Sequence, residues 1–303
     1  MKKVAVAGAG LMGAQIGAEY ALAGHDVVLI TRSTESGKAA LGRAHASIRG
    51  LMAHGLVPVA RGEAALPRLR TSTDLMAACA DRDVIVESVA EDLGAKADVL
   101  DAAARSAPKA ILCSNTSSIP ITTLGEAARA PERTLGTHYA NPAILMPAVE
   151  VIPGARTERR HVDTMVDLLR GMGKEPILAP DIPGFIWNRL QFALLREATR
   201  LVTEHGVAPE DVDNAMKRAL GRRWSLIGPF ETMALGGRET FVKIARLLFA
   251  EVGKEVDPEA LAGIDLPAAE ALRTLATERD AELMRWRKRD VAGDTASDEG
   301  RAV

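Results

Sequence analysis

Lys3-Val4-Ala5-Val6-Ala7-Gly8-Ala9-Gly10-Leu11-Met12-Gly13 is the stretch whose reading decides the fold. A short apolar run ends in glycines, which predicts a buried strand. Leu11 to Ala23 then carries helical spacing and stops at Gly24. Gly8, Gly10 and Gly13 form G-x-G-x-x-G between that strand and that helix, the context in which the motif signals a dinucleotide. Gly8 permits the tight turn, Gly10 lets a pyrophosphate approach the backbone, and Gly13 lets the helix lie close on the sheet. The first helical residues, Leu11 and Met12, present N–H groups and partial positive charge to the phosphates.

Working outward, Val27 to Ile30 is a second buried strand, followed by Thr31-Arg32-Ser33. NAD sites usually carry Asp or Glu at this point, to accept from the adenosine ribose. Thr31 stands there instead, and Arg32 and Ser33 offer charge-assisted hydrogen bonds to a 2′-phosphate. The expected cofactor is therefore NAD or NADP, with NADP slightly favoured. A long helix is expected from about Glu35 to His54, then a loop containing Pro58, Gly62 and Pro67. Further strands are expected at Leu69 to Ser72, Val84 to Glu87, Ala110 to Ser114, Thr134 to His138 and Ala148 to Ile152. Helices are expected at Asp74 to Ala80 and Leu93 to Ala107. Alternating strands and helices predict an α/β domain of the Rossmann type, a parallel, doubly wound sheet.

Near Pro180 the pattern changes, and from Phe185 to Arg289 helical periodicity runs almost without strands. We expect a dinucleotide-binding domain over 1–180, an all-α substrate and dimerisation domain over 181–290, and a small, polar tail over 291–303. The 303 residues suffice for two domains. A formal net charge of -2 implies no strong field, which argues against nucleic acid as a partner. The basic run Arg285, Arg287, Lys288 and Arg289 reads as a solvated helix end. Cys79 and Cys113 lie apart in apolar company, as buried free thiols of a reducing cytoplasm, with no metal-ligand spacing. The start of the chain has neither the length of a membrane span nor the form of a secretory signal.

Four later segments carry polar groups in apolar settings: Ser114-Asn115-Thr116-Ser117-Ser118, Gly136-Thr137-His138-Tyr139-Ala140-Asn141-Pro142, Pro147-Ala148-Val149-Glu150-Val151-Ile152 and Gly184-Phe185-Ile186-Trp187-Asn188-Arg189. Three lie at or beside strands, where ligands gather in open α/β sheets. With the opening glycine motif, these segments resemble the 3-hydroxyacyl-CoA dehydrogenase family, in order and at its spacing, to about residue 235. The resemblance implies His138 as general base, Glu150 as its partner, Ser117 and Asn188 as substrate contacts, and Glu91 near the cofactor. The residue types suit the chemistry. Oxidising a secondary alcohol needs a base that titrates near neutrality and a carboxylate that fixes its tautomer. Hydroxyl and amide donors stabilise a developing alkoxide.

The chain departs from the pattern in two places. The basic residues that bind acyl-CoA near the end of the long helix are represented only by Arg43 and Arg49. Ala140 to Met146 is closer to relatives acting on carnitine, gulonate or vitamin B6 catabolites. A 3-hydroxyacyl thioester is the first expected substrate, and a free hydroxy acid or hydroxymethyl compound the second. A dinucleotide-binding structural protein without catalysis is the third reading, opposed by the intact polar set. Apolar faces on Phe185 to Leu201 and Phe241 to Phe249 exceed what one small domain needs, and relatives pair through this domain. A homodimer through the helical domain is expected.

Overall fold

The computed structural model describes residues 1–249, 251–253, 270, 273, 274, 277 and 280–288. They divide into two units, Met1–Ile186 with Thr274–Val303, and Trp187–Arg273. In the first unit the strands are β1 (Lys3–Ala7), β2 (Asp26–Ile30), β3 (Leu69–Ser72), β4 (Val84–Glu87), β5 (Ile111–Ser114), β6 (Thr134–Tyr139), β7 (Ala148–Pro153) and β8 (Glu175–Leu178). The helices are α1 (Leu11–Leu22), α2 (Thr34–Ala53), α3 (Val59–Ala65), α4 (Leu75–Cys79), α5 (Leu93–Ser106), α6 (Ile121–Ala127) and α7 (Arg159–Gly171). The sheet order is β3-β2-β1-β4-β5-β6-β7-β8, with β1 between β2 and β4. This is the doubly wound fold expected, and its direction reverses at β1, where such sheets hold their ligands.

Strand geometry sorts the core. Val4 and Val6 of β1 join one apolar cluster, while Ala5 and Ala7 join the other. Successive side chains alternate across the sheet, so helices cover both faces and the strands read as continuous apolar runs. Both cysteines are buried and unbridged. Burial pushes the Cys79 thiol up to about 11 and the Cys113 thiol up to about 12. Among the described residues, no helix is long and apolar enough to cross a membrane.

The structure differs from the sequence reading at several points. The sheet is not wholly parallel, because β7 runs antiparallel to β6. Residues 140–147 alone join them, and a parallel crossover needs about a dozen residues or more. The first unit also continues past Pro180. Asp181 accepts from the Ile121 and Thr122 N–H groups at 2.6 and 2.8 Å, and Phe185 is buried in the second apolar cluster. The chain therefore leaves the unit after Ile186 rather than at 180.

Finally, the basic run is not wholly solvated. Residues 281–288 belong to the first unit, where Leu283 and Met284 pack against its core. Arg287 lies 3.1 Å from the buried Glu19 of α1. Lys174 reaches the same Glu19 oxygen at 2.9 Å and donates to the Ala143 carbonyl at 2.8 Å. Burial lowers the Lys174 pKa. Two cations against one carboxylate satisfy a charge that burial would otherwise penalise. Arg285 and Lys288 are exposed. Arg289 and the expected tail 291–303 lie outside the described residues.

The second unit is helical: α8 (Trp187–His205), α9 (Pro209–Ala215), a π-turn over Met216–Leu220, α10 (Gly221–Trp224), α11 (Pro229–Gly236) and α12 (Arg238–Leu248).

Candidate active site

The glycine turn follows β1. Gly8 has φ 91°, a left-handed conformation, and a Cβ there would lie 2.5 Å from the Ser88 carbonyl oxygen. A Cβ on Gly13 would lie 2.2 Å from the Gly8 carbonyl oxygen. These two positions are closed by the protein's own backbone. Gly10 is the opposite case. It caps α1 without a side-chain hydrogen bond, and a Cβ there would meet no atom within 4 Å. Open space beside the first N–H groups of a helix, beginning at Leu11 and Met12, fits the pyrophosphate of a dinucleotide. Arg43 of α2 donates to the Ala9 carbonyl at 2.9 Å and steadies the turn.

The carboxyl ends of the neighbouring strands are linked beside this turn. Ser88 follows β4 and packs at Gly8. Asn115 follows β5, donating to Ser88 Oγ at 3.4 Å and accepting from the Tyr139 N–H at 2.9 Å. That last bond fixes the end of β6, one residue from His138. His138 stands directly opposite Glu150 in the antiparallel β6–β7 pair. Cross-strand neighbours share one face of the sheet, and His138 Nδ1 lies 2.8 Å from Glu150 Oε2. Glu150 is 0% exposed, and its Oε1 accepts from the Ile186 N–H at 2.8 Å. Phe185, at φ 48°, turns the chain to deliver that N–H, and its ring centroid lies 5.6 Å from that of His138. A carboxylate accepting at Nδ1 assigns the proton of the neutral ring to Nδ1 and the basic lone pair to Nε2.

Ser117 sits in the loop after β5, which Glu91 holds. Glu91 Oε1 accepts from Thr116 Oγ1 at 2.6 Å, the Ser117 N–H at 2.9 Å, Ser117 Oγ at 3.2 Å, and the Ser118 N–H and Oγ at 3.0 Å each. Burial alone would raise the Glu91 pKa. The Thr116 hydroxyl, the Lys96 charge and the Ser117 and Ser118 donors outweigh it and hold the carboxyl down at about 2. The described contacts thus tie Glu91 to the serine loop, where the family resemblance implies a place near the cofactor.

After β2, Arg32 is exposed, while Ser33 is the N-cap of α2. Ser33 Oγ accepts from the Ser36 N–H at 3.1 Å, and Thr31 Oγ1 donates to the Ser33 carbonyl at 3.0 Å. Asn188 lies on the first turn of α8 in the second unit, two residues along the chain from Ile186. Sequence reasoning missed Lys96. The available signal was a lysine on the buried face of α5, in line with Leu100, Ala103 and Ala104. It also missed the part played by the Phe185–Ile186 backbone, which leaves no residue-type signal.

The chain matches the model of the 3-hydroxyacyl-CoA dehydrogenase NAD binding domain over residues 3–182, and that of the 3-hydroxyacyl-CoA dehydrogenase C-terminal domain over 184–266. It is 32% identical over 263 residues to 5-formyl-3-hydroxy-2-methylpyridine 4-carboxylate 5-dehydrogenase of Mesorhizobium japonicum, covering 85% of this chain and 83% of that one. It is 34% identical over 246 residues to mitochondrial hydroxyacyl-coenzyme A dehydrogenase of Sus scrofa, covering 79% and 77%. A crystal structure of 5-formyl-3-hydroxy-2-methylpyridine 4-carboxylic acid 5-dehydrogenase, described as an NAD+ dependent dismutase, superposes with TM-score 0.86 at 29% identity, over 95% of this chain and 98% of the other. The (S)-3-hydroxybutyryl-CoA dehydrogenase of Ralstonia eutropha gives 0.69 at 27% identity, over 92% and 94%. Family models that together run through both units, with a glycine cradle and a buried histidine–glutamate pair in the first, lead to one conclusion: the chain belongs to the 3-hydroxyacyl-CoA dehydrogenase family and is a nicotinamide-dependent oxidoreductase.

Proposed function

We propose that the chain interconverts a 3-hydroxyacyl thioester and its 3-ketoacyl form, with His138 as general base and acid. The observation that carries this reading is the buried His138–Glu150 pair, 2.8 Å apart, at the carboxyl edge of a sheet whose first turn is the glycine cradle. Gly8, Gly10, Leu11, Met12 and Gly13 would hold the dinucleotide, which would supply the hydride acceptor or donor for the alcohol carbon. His138 Nε2 takes the hydroxyl proton as the carbonyl forms, and gives it back in reduction. Glu150 keeps the ring in the required tautomer and stabilises the imidazolium. Ser117 donates to the oxygen as negative charge develops on it. Acetoacetyl-CoA reduction, followed by loss of reduced cofactor absorbance, is the test, and turnover is expected.

The second reading is oxidation or reduction of a free hydroxymethyl or aldehyde compound of the pyridine type. It is favoured by the TM-score of 0.86 to the pyridine 5-dehydrogenase against 0.69 for the hydroxybutyryl-CoA enzyme. Arg43 also supports it, since its guanidinium serves the Ala9 carbonyl in place of a CoA phosphate. No turnover of acetoacetyl-CoA, with reduction of 5-formyl-3-hydroxy-2-methylpyridine 4-carboxylate, would select it.

For the cofactor we propose NADP, read by Arg32. Ser33 is engaged in the capping box, so a 2′-phosphate falls to the exposed guanidinium alone. Arg32→Ala is expected to weaken NADPH by roughly tenfold, one charge-assisted hydrogen bond, and to leave NADH nearly unchanged. Equal loss for both would assign NAD. We place the enzyme in the cytoplasm, where its two free thiols stay reduced.

We also propose a homodimer through the second unit. There Leu226, Phe230, Leu235, Leu247 and Phe249 are between 75% and 86% exposed, more apolar surface than an isolated soluble domain normally presents. Light scattering at micromolar concentration is expected to return twice the chain mass, and a monomer would refute the proposal.

A further inference from the structure

We propose that Lys96 is a positioning residue for Ser117: its ammonium, enclosed between Glu87 and Glu91, keeps Glu91 as the anchor on which the loop after β5 rests. The inference builds on the alcohol–carbonyl site proposed above. Lys96 is 1% exposed, on the face of α5 that otherwise buries Leu100, Ala103 and Ala104. A methionine or leucine would fill that place without the penalty of a buried cation, which proteins accept only with close partners. The partners are two carboxylates on different segments. Lys96 Nζ lies 3.0 and 3.2 Å from the oxygens of Glu87, at the end of β4, and 3.2 Å from Glu91 Oε2.

Both carboxylates hold the same loop. Glu87 Oε2 accepts from Ser114 Oγ at 2.6 Å, and Ser114 Oγ accepts from the Thr116 N–H at 3.2 Å. Glu91 Oε1 faces five donors from Thr116, Ser117 and Ser118. The longest of those five contacts, 3.2 Å, is the Ser117 hydroxyl. That hydroxyl can turn to a bound substrate while the Ser117 and Ser118 N–H groups keep the backbone fixed. Without the ammonium, Glu87 would be a buried carboxylate without its cation, and Glu91, whose side chain is 38% exposed, would lose the contact that holds its Oε2 inward. A Glu91 released at Oε2 can turn toward solvent and loosen its hold on the loop, and Ser117 drifts. Small misplacements of a contacting group cost up to about a hundredfold in rate.

The test is kinetics of acetoacetyl-CoA reduction with NADH and NADPH for wild type, Ser117→Ala, Glu91→Gln, Lys96→Met, Lys96→Arg and the Glu91→Gln/Lys96→Met double variant. Lys96→Met and Glu91→Gln are each expected to lower kcat by about ten- to a hundredfold. The KM for the reduced cofactor should hold. The double variant should be no slower than the slower single, and Lys96→Arg should recover most of kcat by retaining the charge. Multiplying losses overturn the proposal. So does a raised cofactor KM at retained kcat in Glu91→Gln, which would assign Glu91 to the cofactor. If Lys96→Met does not fold, Glu91→Gln decides: an unchanged kcat overturns the proposal. If Ser117→Ala keeps full kcat while His138→Gln does not, this inference fails and the site reading stands. If His138→Gln also keeps it, the site reading fails with it. If wild type does not turn over acetoacetyl-CoA, the same series is run with the pyridine aldehyde.

Discussion

His138→Ala is expected to bind cofactor normally and to lose about 10²–10⁴-fold in turnover, the range general acid–base catalysis supplies. The reason is positional. His138 is 6% exposed and is paired across the strands with a carboxylate that no water reaches directly. No other imidazole stands on β6 or β7, so these strands hold no second histidine to take the proton. Deletion to alanine also removes a donor from Glu150, which keeps the Ile186 N–H at 2.8 Å. A buried carboxylate short of one donor loses stability by about 1–3 kcal/mol, and a lowered melting temperature would confuse the kinetics. His138→Gln separates the two effects. Its amide can still donate toward Glu150, but it cannot accept and return a proton. Both variants are expected to lose turnover alike while only alanine lowers the melting temperature. Undiminished turnover in His138→Gln would remove the histidine from the mechanism.

The parts of this site that were legible in the sequence are those whose residue types have few other uses. A glycine triplet after a strand has one common purpose, and the structure closes Gly8 and Gly13 against backbone as that purpose requires. A histidine and a glutamate in otherwise apolar strands are conspicuous because burial would reject them without partners. What the sequence did not show are features decided by packing. Pro58, Gly62 and Pro67 read as a loop, yet Val59–Ala65 is a helix with Pro58 at its N-cap. A Cβ on Gly62 would lie 2.1 Å from the Met52 sulfur, so that glycine marks a close crossing of two helices. β8 carries Pro176, which demotes a strand in sequence reasoning, and it stands at the sheet edge, where proline is tolerated. Arg287 reads as a solvated charge and Lys96 does not stand out, because Glu19 lies 268 residues from the one and the buried Glu87 lies on another element, 9 residues from the other. Local pattern carries no trace of such partners.

Gly10→Ala is expected to lower the melting temperature modestly, by backbone strain alone, and to weaken the dinucleotide by about 10- to 100-fold. The pairing of those two outcomes is what tests the cradle. Gly8 and Gly13 cannot serve, because a methyl at either meets backbone at 2.5 and 2.2 Å, and its cost would appear as lost stability before any loss of binding. Gly10 meets nothing within 4 Å, and the cost of an alanine there is in the backbone alone, whose φ of -66° with ψ of -148° lies outside the regions alanine favours. In the free protein the added methyl displaces only water, and the variant bears the backbone strain whether or not cofactor is present. With a dinucleotide bound, it stands where the pyrophosphate approaches the first N–H groups of α1. Holding the phosphate away forfeits at least one charge-assisted hydrogen bond, about 1.5–3 kcal/mol, which is the fold-change stated. Fluorescence titration of reduced cofactor against Gly10→Ala, beside a thermal melt of the free protein, measures both terms. Loss of binding in a variant that is still folded, with its melt lowered only modestly, places the phosphates at the mouth of α1. Intact binding would mean that the space beside Gly10 serves another purpose, and the glycine motif would then be an element of the fold alone.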